Sequence, residues 1–354
     1  GLKDKNAVTV QKMSIKGDFI EDLRNLNIPD LYIRNVVPTR RAVRIGSNQG
    51  NYFTMTLRNI PHSKDLRGRI EKIGDIIKEK GFPNYFGLQR FGKFRPNSHI
   101  VGKYLIKQDY ENVYREMVEK SFTTEMEGSR EARQRLRDSG DLRQANKEFP
   151  KELTYERLLI EHLIFNPGDY EGAVKELSPS LRNLLRNAFQ SYLFNKMVSL
   201  RIEKGIPLFK PVEGDVVGIL EDVNGPLSRI RYIYGSMDGR LDEHLQRAIE
   251  MERALIIAPL IGEDTNLEKF PLMKDLLFEV LKKQELGETI LHLDEHDKAP
   301  EFHGSVRAIY VRPGDFNIKE LKEDKYFKGK MQLKLEFSLP KGCYATMLLR
   351  EFIK

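Results

Sequence analysis

The chain has 354 residues, a length that favours two domains over one continuous core. Apolar residues make up 40% and charged residues 31%, the balance of a soluble globular protein, and no apolar run is long enough to span a bilayer. Fifty-nine Lys and Arg against 52 Asp and Glu leave a formal charge of +7, which suits a polyanionic partner but is also what a charged, solvated surface carries. Cys343 is the only cysteine, so no intrachain disulfide can form and a reducing, cytoplasmic setting is expected. Gly1 does not read as a native start and no signal peptide is visible, so residues upstream are expected.

Residues 7–58 read mostly as strands and turns. Ala7 to Ile15 is β-prone, with Thr9 and Gln11 on one face, and Asn51 to Leu57 alternates in the strand manner after Gly50. Ser63 is the expected cap of a helix carrying Leu66, Ile70, Ile73 and Ile77, which Gly81 ends and Pro83 keeps from resuming. Residues 110–165 are charge-dense and helical. Ser178 and Pro179 occupy N-cap and first-turn positions of a further helix that runs to a stop at Gly205. Strands are expected near 215–220 and 229–234, and helices near 241–258 and 272–286. The end turns β-like at Val306 to Val311 and Gln332 to Phe337, then closes with a turn and a short helix. An order of β-rich, helical and β-rich segments points to a first domain interrupted by an insertion, with the tail returning to the first.

The stretch PNYFGLQRFG, Pro83 to Gly92, gathers three aromatic residues with Asn84, Gln89, Arg90 and two glycines. Pro83 and Gly87 favour a fixed loop. On such a loop Phe86 offers a flat face to a nucleobase, a contact worth about 1–3 kcal/mol per base, and Asn84 offers a donor and an acceptor. The competing reading is an aromatic turn packed into the core.

With this stretch in place, four segments form a pattern. GLKDKNAVTVQ, Gly1 to Gln11, resembles the G-x-K-D-x-x-A-x-T-x-Q motif of the TruD family of tRNA pseudouridine synthases, and NYFGLQRFG is similar to that family's second signature. NAFQSYLFNK, Asn187 to Lys196, is similar to a helix of the family, and LPKGCYATMLLRE, Leu339 to Glu351, resembles its C-terminal signature. The segments follow the family's order and span nearly the whole chain. The helical stretch near 110–165 looks more like the archaeal and eukaryotic branch than the bacterial one.

The resemblance implies a mixed α/β (α+β) fold: a permuted pseudouridine-synthase catalytic domain with an antiparallel sheet, residues 1–109 and 303–354, interrupted by an inserted α/β TRUD domain, residues 110–302. It implies an isomerase that converts a uridine of tRNA to pseudouridine, at position 13 in the family's activity, without cofactor or metal. The base is detached from C1′ of its ribose, rotated, and reattached through C5. The residue matching the essential aspartate is Asp4, as nucleophile or as base toward the sugar. Either role needs an ionised carboxylate, and burial under a flipped base opposes ionisation unless a cation is near. Lys3 and Lys5 would point away from Asp4 in a strand. The family's active-site basic residue lies upstream of this motif, which leaves Arg90 as the candidate in this sequence. Asn84 would hold the aspartate loop or the nucleotide, Phe86 would stack on the uracil, and Tyr344 would add a ring to the pocket. A monomer that binds tRNA and no membrane is expected. The alternative within the same fold is an RNA-binding protein with weak or no catalysis.

Three other patterns point to chemistry less well. GLQRFGKF, Gly87 to Phe94, approaches the phosphate-loop pattern but puts Phe94 where a metal-binding hydroxyl is required. HLDEH, His292 to His296, has a zinc-peptidase spacing, yet its neighbours read as a strand and a turn rather than a helix. Cys343 reads as a small buried side chain, because nothing nearby in sequence would generate a thiolate.

Overall fold

The computed structural model describes residues 7–44, 48–222, 225–236, 239–286 and 302–353. In chain order it contains α1 (Ile20–Asn25), β1 (Gly50–Pro61), α2 (Leu66–Lys80), β2 (Phe82–Pro83), α3 (Ser98–Ile106) and α4 (Tyr110–Tyr114), the last continued by a π-helical turn. There follow α5 (Glu127–Ser139), α6 (Leu142–Glu148), α7 (Thr154–Phe165), α8 (Tyr170–Glu176) and α9 (Pro179–Glu203). The rest is β3 (Val216–Leu220), β4 (Leu227–Ile233), α10 (Gly239–Glu250), β5 (Ala254–Leu260), α11 (Pro271–Lys283), β6 (Ser305–Ala308), β7 (Tyr310–Val311), β8 (Gly314–Glu323), β9 (Lys330–Pro340) and α12 (Ala345–Arg350).

Among the described residues all strand pairings are antiparallel, in sheets ordered β1-β9-β8, β2-β7 and β4-β3-β5-β6. The mixed α/β architecture agrees with the expectation. Alternation explains the first sheet. Phe53, Met55 and Leu57 of β1 turn to the same face as Phe337, Leu335 and Leu333 of β9, their direct register partners. α2 covers this face through Ile70 and Ile77, and Gly74 lets it approach, since a Cβ there would lie 2.6 Å from Ile318 Cδ1. A second core is helical, built by α3 to α8 around Val113, Leu159, Ile160, Val174 and Leu177. The third lies between α9, α11 and the four-stranded sheet, with Phe194, Met197, Val217, Ile256 and Leu277 at its centre. Beside it Arg201 and Asp215, both without solvent exposure, form a fork-to-carboxylate pair at 2.5 and 2.7 Å.

Helix ends follow the local signals in part. Ser178 accepts from the Leu181 N–H with Pro179 at the first position, and Gly81, at φ 92°, donates to the Ile77 carbonyl. Ser63 does not cap α2. It closes a turn through its carbonyl, and Asp65 precedes the helix. Two expected elements differ. Ala254 to Leu260 is a strand, not the end of a helix: its run of apolar residues sits between β3 and β6 and is buried on both sides, a pattern that periodicity does not separate from a buried helix. Ala7 to Ile15 forms no strand among the described residues. Val8 and Val10 are exposed, and a β-prone sequence becomes a strand only where a neighbour takes its N–H and C=O groups. β8 was not expected at all.

Candidate active site

Three of the four motif segments meet at one ring. Pro83 pairs with Tyr310 across β2 and β7, and the Asn84 N–H donates to the Ile309 carbonyl at 2.9 Å, so the loop leaves this short sheet along a fixed line. Asn84 is buried, with its side-chain N–H donating to Ala308 O at 3.0 Å. Asn195, in the motif on α9, clamps the next turn. Its Oδ1 accepts from the Phe86 N–H at 2.8 Å and its Nδ2 donates to the Phe86 carbonyl at 3.0 Å. Phe86 then meets Phe194 edge-on, with centroids 5.7 Å apart, and Tyr344 from the C-terminal motif at 6.0 Å. Gly87 permits the meeting, because a Cβ at this position would lie 2.8 Å from Tyr344 Cδ1.

Arg307 holds these parts together. It sits on β6, and its guanidinium donates to the Asn84 carbonyl at 2.9 Å, to Asn84 Oδ1 at 2.7 Å and to the Gly342 carbonyl at 2.9 Å. The same group lies over one face of Phe86, 4.1 Å from the ring centroid, and 6.0 Å from the Tyr344 ring. One planar side chain thereby joins the loop, the C-terminal turn and the aromatic plate. Burial pushes its pKa down, and the neighbouring Arg90 acts in the same direction. Arg90 approaches the Phe86 ring to 6.0 Å and donates to Ser191 Oγ at 3.1 Å, which in turn donates to Asn187 O. No carboxylate among the described residues forms an ion pair with either arginine. The site therefore presents desolvated positive charge without a local counter-ion from the described residues, an arrangement suited to a carboxylate or a sugar–phosphate group.

Of the residues expected from the sequence, Asn84, Phe86, Arg90 and Tyr344 come together. Asp4 lies outside the described residues, as do Lys3, Lys5 and the HLDEH segment. Asn84 is offered two roles by the sequence, and its side chain is engaged by Ala308 and Arg307. Arg307 and Asn195 escaped the sequence reading. The signal for Arg307 was one charge inside the apolar run Val306 to Val311. Cys343 contacts the same cluster, but burial pushes its thiol pKa up, against the pull of Arg307 and a hydrogen bond with Asn84, so it stays a neutral thiol. GLQRFGKF lies on a 3₁₀ turn, Leu88–Arg90, after an extended Gly87, and not at the start of a long helix.

The His99 ring stacks on Tyr192 at 4.7 Å and meets Phe91 edge-on at 5.1 Å. Burial, helped by Lys196, lowers its pKa from 6.5 to about 4, so it is neutral at physiological pH. Among the described residues no group of three or more His, Cys, Asp or Glu could hold a metal ion, and no helix is long and apolar enough to cross a membrane.

Comparison with known proteins matches this geometry to one family. The model of tRNA pseudouridine synthase D (TruD) fits residues 1–352. The "Probable tRNA pseudouridine synthase D" of Methanosarcina mazei is 34% identical over 360 residues, covering 100% of this chain and 80% of that protein. The "Probable tRNA pseudouridine synthase D 1" of Methanocaldococcus jannaschii is 33% identical over 357 residues, covering 100% of this chain and 77% of its own length. The crystal structure of Methanosarcina mazei TruD superimposes with a TM-score of 0.80 at 32% identity, covering 94% of this chain and 75% of that one. Both organisms are archaeal, in agreement with the branch suggested by the helical segment. The chain belongs to the TruD family of tRNA pseudouridine synthases.

Proposed function

We propose that this protein isomerises a uridine of tRNA to pseudouridine, with Asp4 as the reacting carboxylate and Asn84, Phe86, Arg90, Arg307 and Tyr344 as the site that receives the nucleotide. In this reading residues 1–109 and 303–354 form the catalytic domain and residues 110–302 the inserted one, and the protein acts as a cytoplasmic monomer. The observation that carries the proposal is the convergence of the NYFG loop, Asn195 of α9 and the turn at Gly342–Tyr344 on the Phe86 ring, under one arginine.

The chemistry follows from what such a site does. The N1–C1′ bond breaks, the uracil turns within its pocket, C5 bonds to C1′, the C5 hydrogen leaves to water as a proton and N1 takes up a proton in its place. The target base must first leave its stack, which costs a few kcal/mol and least in a loop or distorted helix. Arg307 lies over one face of Phe86, so in this reading the uracil engages the part of the ring that stays exposed. Base stacking of about 1–3 kcal/mol offsets much of the flipping cost. Arg307 and Arg90 together favour the ionised form of an approaching carboxylate, which either role of Asp4 requires. Positive charge also suits the phosphates that flank a flipped nucleotide.

The test is tritium release from C5-labelled uridine in tRNA. The protein should release tritium and Asp4→Asn should stay at background. Release surviving in Asp4→Asn would overturn the assignment of the carboxylate. RNA binding without release by the unaltered protein would favour the non-catalytic alternative.

A further inference from the structure

The β8–β9 turn at residues 324–329, DKYFKG, lies at the end of β9 opposite the candidate active site. β9 runs from Lys330 to Pro340, so this turn is about 33 Å along the strand from the Gly342–Tyr344 segment. Tyr326 in the turn is 75% exposed and Phe327 is 43% exposed. Hairpin turns are ordinarily built from small polar residues, and two solvent-facing rings here bring no packing to the core. The Arg58 guanidinium lies under the Tyr326 ring at 4.6 Å.

The arrangement is held rigidly. Asp324 is the only acid in the turn, and it is buried. It accepts from Arg58 at 3.2 Å, from the Asn59 N–H at 2.9 Å and from the Tyr326 N–H at 2.9 Å. Arg58 donates to Gln332 Oε1 at 2.7 Å as well. A bulge in β1 between Leu57 and Ile60, with Asn59 at φ 56°, presents that N–H to the carboxylate. The one negative charge is thus consumed internally. Lys325 and Lys328 stand exposed beside the rings, and Lys330 is half-buried next to them.

We infer that the Tyr326–Phe327 turn, with Arg58, Lys325 and Lys328, is a second contact for the RNA substrate, where an unpaired base stacks on Tyr326 or Phe327 and the lysines meet its flanking phosphates. Aromatic faces tolerate any base, and cations beside them take the backbone, so the turn binds without reading sequence. Because Asp324 holds the Tyr326 backbone and the Arg58 that lies under the Tyr326 ring, little ordering of that ring is lost on binding. A contact this far from the uracil pocket selects for a folded RNA long enough to reach both ends of β9. The inference rests on the proposed action on tRNA, and the test separates the two.

The chain contains no tryptophan, so Tyr326→Trp introduces a single tryptophan at the turn, which can be excited selectively beyond the tyrosine absorption. A tRNA transcript that supports tritium release should quench its emission, while a short stem-loop carrying the target uridine should not. In the double variant Tyr326→Ala with Phe327→Ala, the Kd for the transcript should rise roughly ten- to a hundredfold, with turnover at saturating transcript unchanged. Tyr326→Phe should bind as the unaltered protein. Lys325→Ala with Lys328→Ala should lower the salt slope of log Kd by about one to two. Emission unaffected by saturating tRNA, or wild-type affinity in the double alanine variant, would overturn the inference and leave the catalytic proposal standing. If the unaltered protein bound no tRNA, both would fall. Equal loss of affinity for the transcript and for the short stem-loop would also overturn it, because the turn would then be acting on the pocket rather than on a distant part of the RNA.

Discussion

Replacing Arg307 by methionine tests the architecture of the site most directly. The side chain keeps most of its length and loses its fork. Two charge-assisted hydrogen bonds to Asn84 and one to Gly342 disappear, with the contact to Phe86. Hydrogen bonds to charged groups contribute about 1.5–3 kcal/mol each, and a buried acceptor left unmet costs about 1–3 kcal/mol. Gly342 is exposed, so water replaces the donor there, whereas the Asn84 oxygens lie in a buried residue. Removing a desolvated cation recovers part of the loss. The net expectation is about 2–4 kcal/mol of stability, read as a shift of the urea midpoint. Misalignment of the loop should lower single-turnover release at saturating tRNA by about a hundredfold, equivalent to roughly 2.7 kcal/mol in the barrier. A structural role alone would not move the pH profile. Loss of the cation raises the pKa of a nearby carboxylate, so the acid limb of kcat/KM should move to higher pH in Arg307→Met and return towards its original position in Arg307→Lys. A folded Arg307→Met enzyme with unchanged turnover and an unmoved acid limb would refute the reasoning.

Asn195→Ala deprives the Phe86 backbone of both partners, and should lower turnover at a stability cost of about 1–3 kcal/mol; unchanged release by this variant would contradict its clamping role. Asp215→Asn leaves Arg201 buried beside a neutral group, for an expected loss of about 3–5 kcal/mol in denaturant unfolding. His99 contributes a pH dependence of known sign. The native state holds it neutral to about pH 4, while the unfolded chain protonates it near 6.5, so its contribution is complete above pH 6.5 and is lost as pH falls from there towards 4. Stability curves of the protein and of His99→Phe should differ in slope within that window; parallel curves would show that His99 titrates normally.

How much of this was legible in the residues differs by element. The Ser178–Pro179 start of α9 and the Gly81 end of α2 were readable because caps and stops act over three or four residues. The alternation of β1 declared its buried face for the same short-range reason. The four family segments were recognisable, and with them Asn84, Phe86, Arg90 and Tyr344. Ala254 to Leu260 was not, since an apolar run of that length suits a helix or a strand and its two neighbouring strands settle the matter. Ala7 to Ile15 failed the other way, with strand propensity but no partner among the described residues.

Arg307 shows the division most clearly. Its sequence neighbours mark a strand and nothing more, while its partners Asn84 and Gly342 lie 223 and 35 residues away. Short-range chemistry sets where helices stop and which side of a strand is greasy. Which strand docks beside which, and so which cation ends up under which aromatic ring, depends on contacts between distant segments whose energies no local pattern records.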